Sequence, residues 1–392
     1  MKSITVRAPV NIAVIKYWGK RDEDIIIPLN DSISGTLSID DMCAKTSVAT
    51  SAEFTEDQMW LNGQKVDIAA NKRLVNCLNQ IRKISTVDWI GQRLHICSVN
   101  NFPTAAGLAS SAAGYACLMY ALAKLYGIDS AERISTLARI GSGSACRSVY
   151  GGFVQWIAGH DNETSVARQI VDENYWPEMR VLVLVVRDTQ KDTSSTSGMQ
   201  LTVQTSRLMQ QRLKEMPDKI QAMTRAIKDR DFHRFAEIAI RESNQMHATC
   251  EDTYPPLQYM NDTSRAIRRF CHKFNDYYGQ NRLGYTYDAG PNACLYLLAP
   301  DVPNVIQLLR KWQPDLIVKG QPIDGQTSAA AAADHQLDDD LSRHFDKMPA
   351  DIVNGSLRYV ISTRIGSGPQ VLTDDDQSLL DMSTGLPKQQ NQ

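Results

Sequence analysis

The chain has 392 residues, 43% of them hydrophobic and 22% charged, and its 42 Lys plus Arg against 44 Asp plus Glu leave a formal net charge of -2. That length suits two or three domains of roughly 150 residues each, whose cores need no disulfide or metal staple. Near-neutrality excludes the broad basic face that nucleic acid or an anionic membrane requires, so an anionic ligand must be held by local groups.

In chain order, residues 4–7 and 12–15 have the alternation of strands, and 59–61 followed by Asn62-Gly63 predicts a hairpin. Helical spacing covers 71–84, and a strand at 94–99 leads through a small-residue loop into a long apolar helix over 110–126. A helix over 131–140 and a strand over 152–157 follow, and then an unbroken apolar run at 181–186 that suits a buried central strand. Residues 189–198 are rich in Ser and Thr and predict a loop between the halves. Helices are expected over 205–228, 232–247 and 256–278, strands over 283–287 and 293–298, a helix over 302–312 and a last strand over 358–363. The Ala-rich stretch within 320–340 reads as a surface loop or insertion, and the polar segment from 373 onward as a mobile tail.

Eight cysteines are scattered without a CxxC pair, several inside apolar stretches, which predicts buried thiols in a reducing compartment. His247 and Cys250 are spaced like half a metal site, with no second pair to complete it. There is no signal-peptide pattern and no run of about 18 apolar residues, so a cytoplasmic protein without a membrane span is expected.

Four segments carry chemistry. In Pro103-Thr-Ala-Ala-Gly-Leu-Ala-Ser-Ser-Ala-Ala-Gly114, small residues and two hydroxyls open a helix whose first N–H groups have no internal partner. This is either a phosphate site or an Ala-rich helix packed tightly on a sheet, and it lacks the Walker pattern. In Arg139-Ile-Gly-Ser-Gly-Ser-Ala-Cys-Arg147, an arginine fork beside glycines and serines suits a phosphate or carboxylate, or else is a solvated Arg on a glycine-rich connection. In Asn11-Ile-Ala-Val-Ile-Lys16, strict alternation puts Asn11, Ala13 and Ile15 on one face and Lys16 on the other. A lysine on so apolar a strand either has an anionic partner or protects a sheet edge. Asp288, in Tyr287-Asp-Ala-Gly-Pro-Asn292, is either a turn residue or a carboxylate presented at a strand end.

The first of these segments is similar to the phosphate loop of the GHMP kinase superfamily. The others, together with Ser243-Asn-Gln-Met-His-Ala-Thr-Cys250 and Ile365-Gly-Ser-Gly-Pro369, resemble in order the motifs of the diphosphomevalonate decarboxylases, over residues 5–372. The resemblance implies an α/β (α+β) two-domain fold: an N-terminal β-α-β domain with the phosphate loop (residues 1–190), a C-terminal ferredoxin-like domain (191–372) and a polar tail (373–392). It implies ATP as co-substrate with Mg2+, conversion of 5-diphosphomevalonate to isopentenyl diphosphate with release of ADP, phosphate and CO2, and a homodimer. Position by position, it assigns Asp288, Arg147 and Lys16 to the reacting end. It assigns substrate contacts to Tyr17, Trp18, Gly19, Lys20, Arg73, Ser142, Gly143, Ser144, Ala145, Cys146, Arg147, Ser195 and Thr196. ATP contacts fall to Ser98, Asn100, Ala105, Ala106, Gly107, Leu108, Ala109, Ser110, Ser111 and Lys191, with Ser110 also a candidate for magnesium.

Overall fold

The structure, a computed structural model, describes residues 1–102, 110–186, 193–320, 337–346 and 355–388. A six-stranded sheet forms one wall of the N-terminal half, in the order Gln370–Leu372, Lys2–Pro9, Cys43–Ser51, Arg93–Asn100, Gln58–Leu61, Gln64–Val66. The hairpin joining its last two strands turns on Asn62 and Gly63, both at positive φ (48° and 80°), as a tight two-residue turn demands. A second sheet runs Ala167–Val171, Phe153–Trp156, Ser32–Thr36, Asn11–Ile15.

Helix Ser110–Leu125 lies across strands Lys2–Pro9 and Cys43–Ser51. Its small residues permit that close approach. Ala113 and Ala116 are fully buried, and the Cys117 thiol donates to the carbonyls of Val6 (3.2 Å) and Ala44 (3.3 Å). Helices Lys72–Ile84 and Ala131–Gly141 cover its other side.

In the C-terminal half the apolar run becomes strand Met179–Val185, with Val181 to Val185 all fully buried. It lies between Ala293–Leu298 and Tyr359–Arg364, both antiparallel to it, and Leu283–Tyr287 pairs outside Ala293–Leu298. With helices Leu208–Lys228, Phe232–Glu251, Asp262–Tyr278 and Val302–Trp312 as connections, this is the βαββαβ arrangement of a ferredoxin-like fold. The two halves are stitched by hydrogen bonds from the hydroxyls of Tyr296 to the Ile12 carbonyl (3.1 Å) and of Thr286 to the Ala13 carbonyl (3.2 Å).

Three sequence expectations change. The polar stretch at 189–198 does not stay a loop throughout: Ser194 caps helix Ser195–Thr205 by accepting from the Ser197 N–H. A Ser/Thr-rich composition hides a helix whose start is set by one such cap. The helix expected from 256 starts at Asp262, behind a capping box made by Asn261 and Ser264. The tail is not loose as far as Lys388. Leu380 is fully buried, the Leu379 N–H bonds the Ser47 hydroxyl, and His95 stacks on Phe54 while its ring bonds the Gly385 carbonyl. All eight cysteines are free and buried, as the sequence predicts.

Candidate active site

A cleft of about 620 Å³ opens between the halves. Its floor is the end of strand Asn11–Ile15 and the residues after it. The register against Ser32–Thr36 slips between Ala13 and Ile15, so one extra residue is inserted in the first strand. Such a bulge turns the following side chain to the other face. Lys16 therefore joins Asn11 and Ala13 on the cleft, where strict alternation sends it to the opposite face.

The Lys16 ammonium has the anionic partner that its burial requires. Its Nζ lies 2.6 Å from Asp288 Oδ1, with the lysine side chain 3% exposed and the aspartate 30%. Asp288 stands in the loop between strands Leu283–Tyr287 and Ala293–Leu298, so one half of the molecule supplies the cation and the other the carboxylate.

Arg147, on the 3-10 helix Gly143–Val149, is 2% exposed. Its Nε donates to Ser34 Oγ (2.8 Å) and its Nη1 to Ser32 Oγ (2.6 Å). Among the described residues no carboxylate comes within ion-pair distance of it. Burial lowers its pKa, and Cys146 and then Asp288 oppose this only in part. A buried cation solvated by neutral hydroxyls is a poor end state for a protein interior but a ready receptor for an anion. Ser32 and Ser34 were not picked out in the sequence. The signal was there: Ser32, Ser34 and Thr36 alternate as one polar face of a wholly buried strand.

Tyr17, Lys20, Arg73, Ser142, Gly143, Ser144, Ser195 and Thr196 line the same cleft, as does Trp18. Lys20 pairs with Glu23 at 2.5 Å, and Arg73 donates to the Thr196 hydroxyl at 3.0 Å, which ties helix Lys72–Ile84 to helix Ser195–Thr205. The Tyr17 hydroxyl is buried with no hydrogen-bond partner among the described residues. Burial first, and then the nearby Glu23 charge, push its pKa up, so it stays a neutral donor facing the cleft. Gly143 is needed for packing: a Cβ there would stand 2.8 Å from the Trp156 ring and 2.9 Å from that of Tyr17.

Of the other expected contacts, several lie away from the cleft. Cys146 packs in a core cluster with Trp156, its thiol raised to about 12 by burial, and Ala145 lies in the main core. Gly19, at φ 95°, shapes the turn and does not line the cleft. The Ser98 hydroxyl bonds that of Thr46. Asn100 lines a separate cavity of about 730 Å³ with Lys45, Lys319 and Tyr359, and its Oδ1 is buried without a partner among the described residues. Ser110 and Ser111 open their helix at the cleft, and Ser111 lies within hydrogen-bond distance of Ser142. Ala105, Ala106, Gly107, Leu108, Ala109 and Lys191 lie outside the described residues.

His247 lies near Lys16, 3% exposed, with its Nε2 unpartnered among the described residues. Burial, and next the Lys16 charge, hold its pKa near 3, well below the ordinary 6.5. With the folded pKa depressed, the stability from keeping this ring neutral is full above about pH 6.5 and is lost as pH falls toward 3. A His247→Gln variant is expected to show a flatter fall of Tm between pH 7 and pH 4 than the parent. Parallel Tm–pH curves would refute it. No group of three or more His, Cys, Asp or Glu able to hold a metal occurs among the described residues, and no described helix is long and apolar enough to cross a membrane.

A β-α-β half and a ferredoxin-like half that share a cleft of cations and hydroxyls at a helix N-terminus constitute the GHMP-kinase-like two-domain fold. Residues 8–167 match the model of the diphosphomevalonate decarboxylase-like N-terminal domain, and 181–372 that of the mevalonate 5-diphosphate decarboxylase C-terminal domain. A diphosphomevalonate decarboxylase of Danio rerio is 46% identical over 99% of this chain and 97% of its own length. The solved mevalonate diphosphate decarboxylase from Trypanosoma brucei superposes with a TM-score of 0.90 at 37% identity, covering 97% of this chain and all of that one. A solved complex of a related chain with MVAPP, AMPPCP and magnesium has a TM-score of 0.74 at 32% identity, over 94% of this chain and 98% of its own. The chain belongs to the diphosphomevalonate decarboxylase family.

Proposed function

We propose that this cleft performs the family reaction, ATP-dependent decarboxylation of (R)-5-diphosphomevalonate to isopentenyl diphosphate, on Asp288, Lys16 and Arg147. The observation that carries the assignment is the 2.6 Å Lys16–Asp288 pair at the cleft floor, which Arg147, buried and without a carboxylate partner among the described residues, also lines. Asp288 accepts the proton of the substrate's tertiary 3-hydroxyl as that oxygen attacks the γ-phosphorus of ATP. Lys16 holds the Asp288 carboxylate in place and steadies the negative charge gathering on the transferred group. Arg147 holds the substrate carboxylate. The phosphorylated 3-oxygen then leaves as phosphate, the electron pair of the carbon–carboxylate bond becomes the new C=C bond, and CO2 departs.

Lys20 and Arg73 suit the diphosphate by charge, with the Tyr17 hydroxyl and the serines Ser142, Ser144 and Ser195 as neutral donors. Ser110 and Ser111, at a helix N-terminus on the cleft, fit the ATP phosphates. The nucleoside end suits the cavity at Asn100. With no carboxylate cluster among the described residues, magnesium would be held chiefly by nucleotide phosphates, with Ser110 as its candidate protein contact. There it would neutralise charge on the transferred phosphoryl group. The same reading has a homodimer in the cytoplasm, working as a nucleotide-binding N-terminal unit and a C-terminal unit. Because strand Met179–Val185 pairs within the C-terminal sheet, the passage between the units is proposed just before it, earlier than the boundary at residue 190 that the resemblance implies.

A coupled assay of ADP and CO2 with 5-phospho- and 5-diphosphomevalonate tests this. Equimolar ADP and CO2 from the diphosphate are expected, and a stable phosphorylated product without CO2 would overturn it. Lys20→Ala is expected to raise the KM for the diphosphate by about 10-fold or more, as the loss of a charge-assisted contact does, while the KM for ATP changes little. Equal losses for both ligands would reject the assignment of Lys20.

A further inference from the structure

Lys16 is held from behind by charges that never reach the cleft. Its backbone N–H donates to Glu242 Oε1 at 3.0 Å, and its carbonyl accepts from Arg212 Nη2 at 3.1 Å and from Asn30 Nδ2 at 3.0 Å. Arg212 and Glu242 are themselves an ion pair, both side chains 0% exposed, on helices Leu208–Lys228 and Phe232–Glu251. Lys219 Nζ reaches the second Glu242 oxygen at 3.1 Å. Burial alone would raise the Glu242 pKa, but the charge and hydrogen bond of Arg212, with Lys219, hold it below the ordinary value. Both backbone groups of one residue, the one bearing the ammonium 2.6 Å from Asp288, are thus bonded to the two members of a single buried ion pair.

We propose that Arg212 and Glu242 are positioning residues that fix Lys16 relative to Asp288. The inference rests on the reading of Lys16 given above. A buried ion pair is costly to desolvate, and an apolar pair of like volume often stabilises a core equally well. What an apolar pair cannot do is bond the N–H and C=O of Lys16. A displacement of the ammonium by about 1 Å can cost on the order of 10²-fold in rate. The signal in the sequence is slight but present: Glu242 falls seven residues after Phe235 and four before Met246, on the apolar stripe of its helix, where a carboxylate must be paired.

The test uses the full-length enzyme with Glu242→Gln, and with Arg212→Met/Glu242→Leu as an apolar replacement of the pair, each made alone and on a Lys16→Ala background. Melting curves, kcat and both KM values are measured. The expected result is folded variants with kcat lowered by about 10–100-fold, both KM values within about threefold of the parent, and no further loss of kcat when Lys16 is already alanine. The proposal is overturned if a folded variant keeps kcat within twofold, if the losses multiply on the Lys16→Ala background, or if neither variant folds, since the pair is then a stability element. If Lys16→Ala itself keeps full kcat, the catalytic reading of Lys16 fails, an outcome distinct from an impaired Lys16→Ala beside an unaffected Glu242→Gln.

Discussion

Asp288→Asn is expected to bind both substrates with nearly parental affinity and to turn over about 10²–10⁴-fold more slowly, the range for losing a general base. Asparagine keeps the shape and one oxygen acceptor for the Lys16 ammonium but cannot take a proton from the substrate hydroxyl. The loss should fall equally on kcat and kcat/KM, the pattern of an interaction made only in the transition state. A second consequence comes from burial. Lys16, 3% exposed, loses its ion-pair partner in the variant, so stability should fall by about 1–3 kcal/mol. Rapid-quench measurement of ADP and CO2 together with a melting curve checks both. Near-parental turnover in a folded variant would remove Asp288 from the mechanism.

Arg147→Met should separate function from stability in the opposite sense. The guanidinium is fully desolvated and bonded to neutral oxygens of Ser32, Ser34 and Asn11, with no carboxylate ion pair among the described residues. A side chain of similar volume without charge removes that desolvation cost, and the serine hydroxyls can rotate to other acceptors. Turnover is expected to fall at least about 10²-fold, because the substrate carboxylate loses a charge-assisted fork. Tm is expected to hold or rise, since a site kept for binding is commonly paid for in stability. A lower Tm with parental turnover would mean that Arg147 is a structural residue.

The sequence made the chemical parts legible. Small residues and hydroxyls before helix Ser110–Leu125, the serines and arginine of 142–147, and Asp288 after a strand are local patterns, and local patterns survive without knowledge of the fold. The strand and helix periods did the same for most elements, since the apolar run Val181 to Val185 suits a buried strand and Asn62-Gly63 a tight turn. Positive charge had to be local in a chain of net charge -2, and Lys16, Lys20, Arg73 and Arg147 do line one cleft.

What alternation could not provide was the face on which Lys16 lies. A bulge between Ala13 and Ile15 depends on pairing with Ser32–Thr36, a strand some 20 residues away, so no count within the segment reveals it. Neither could the sequence choose between an anionic partner and edge protection for Lys16, because Asp288 lies 272 residues downstream. Nor could it join Arg212 and Glu242 to the backbone of Lys16, or lay the polar tail against His95 and Phe54. Residue type and short-range period thus fixed which groups the protein has to work with. Which of them meet was decided by long-range pairing and burial, because a buried charge needs groups that only the fold can bring to it, a carboxylate for Lys16 and hydroxyls for Arg147.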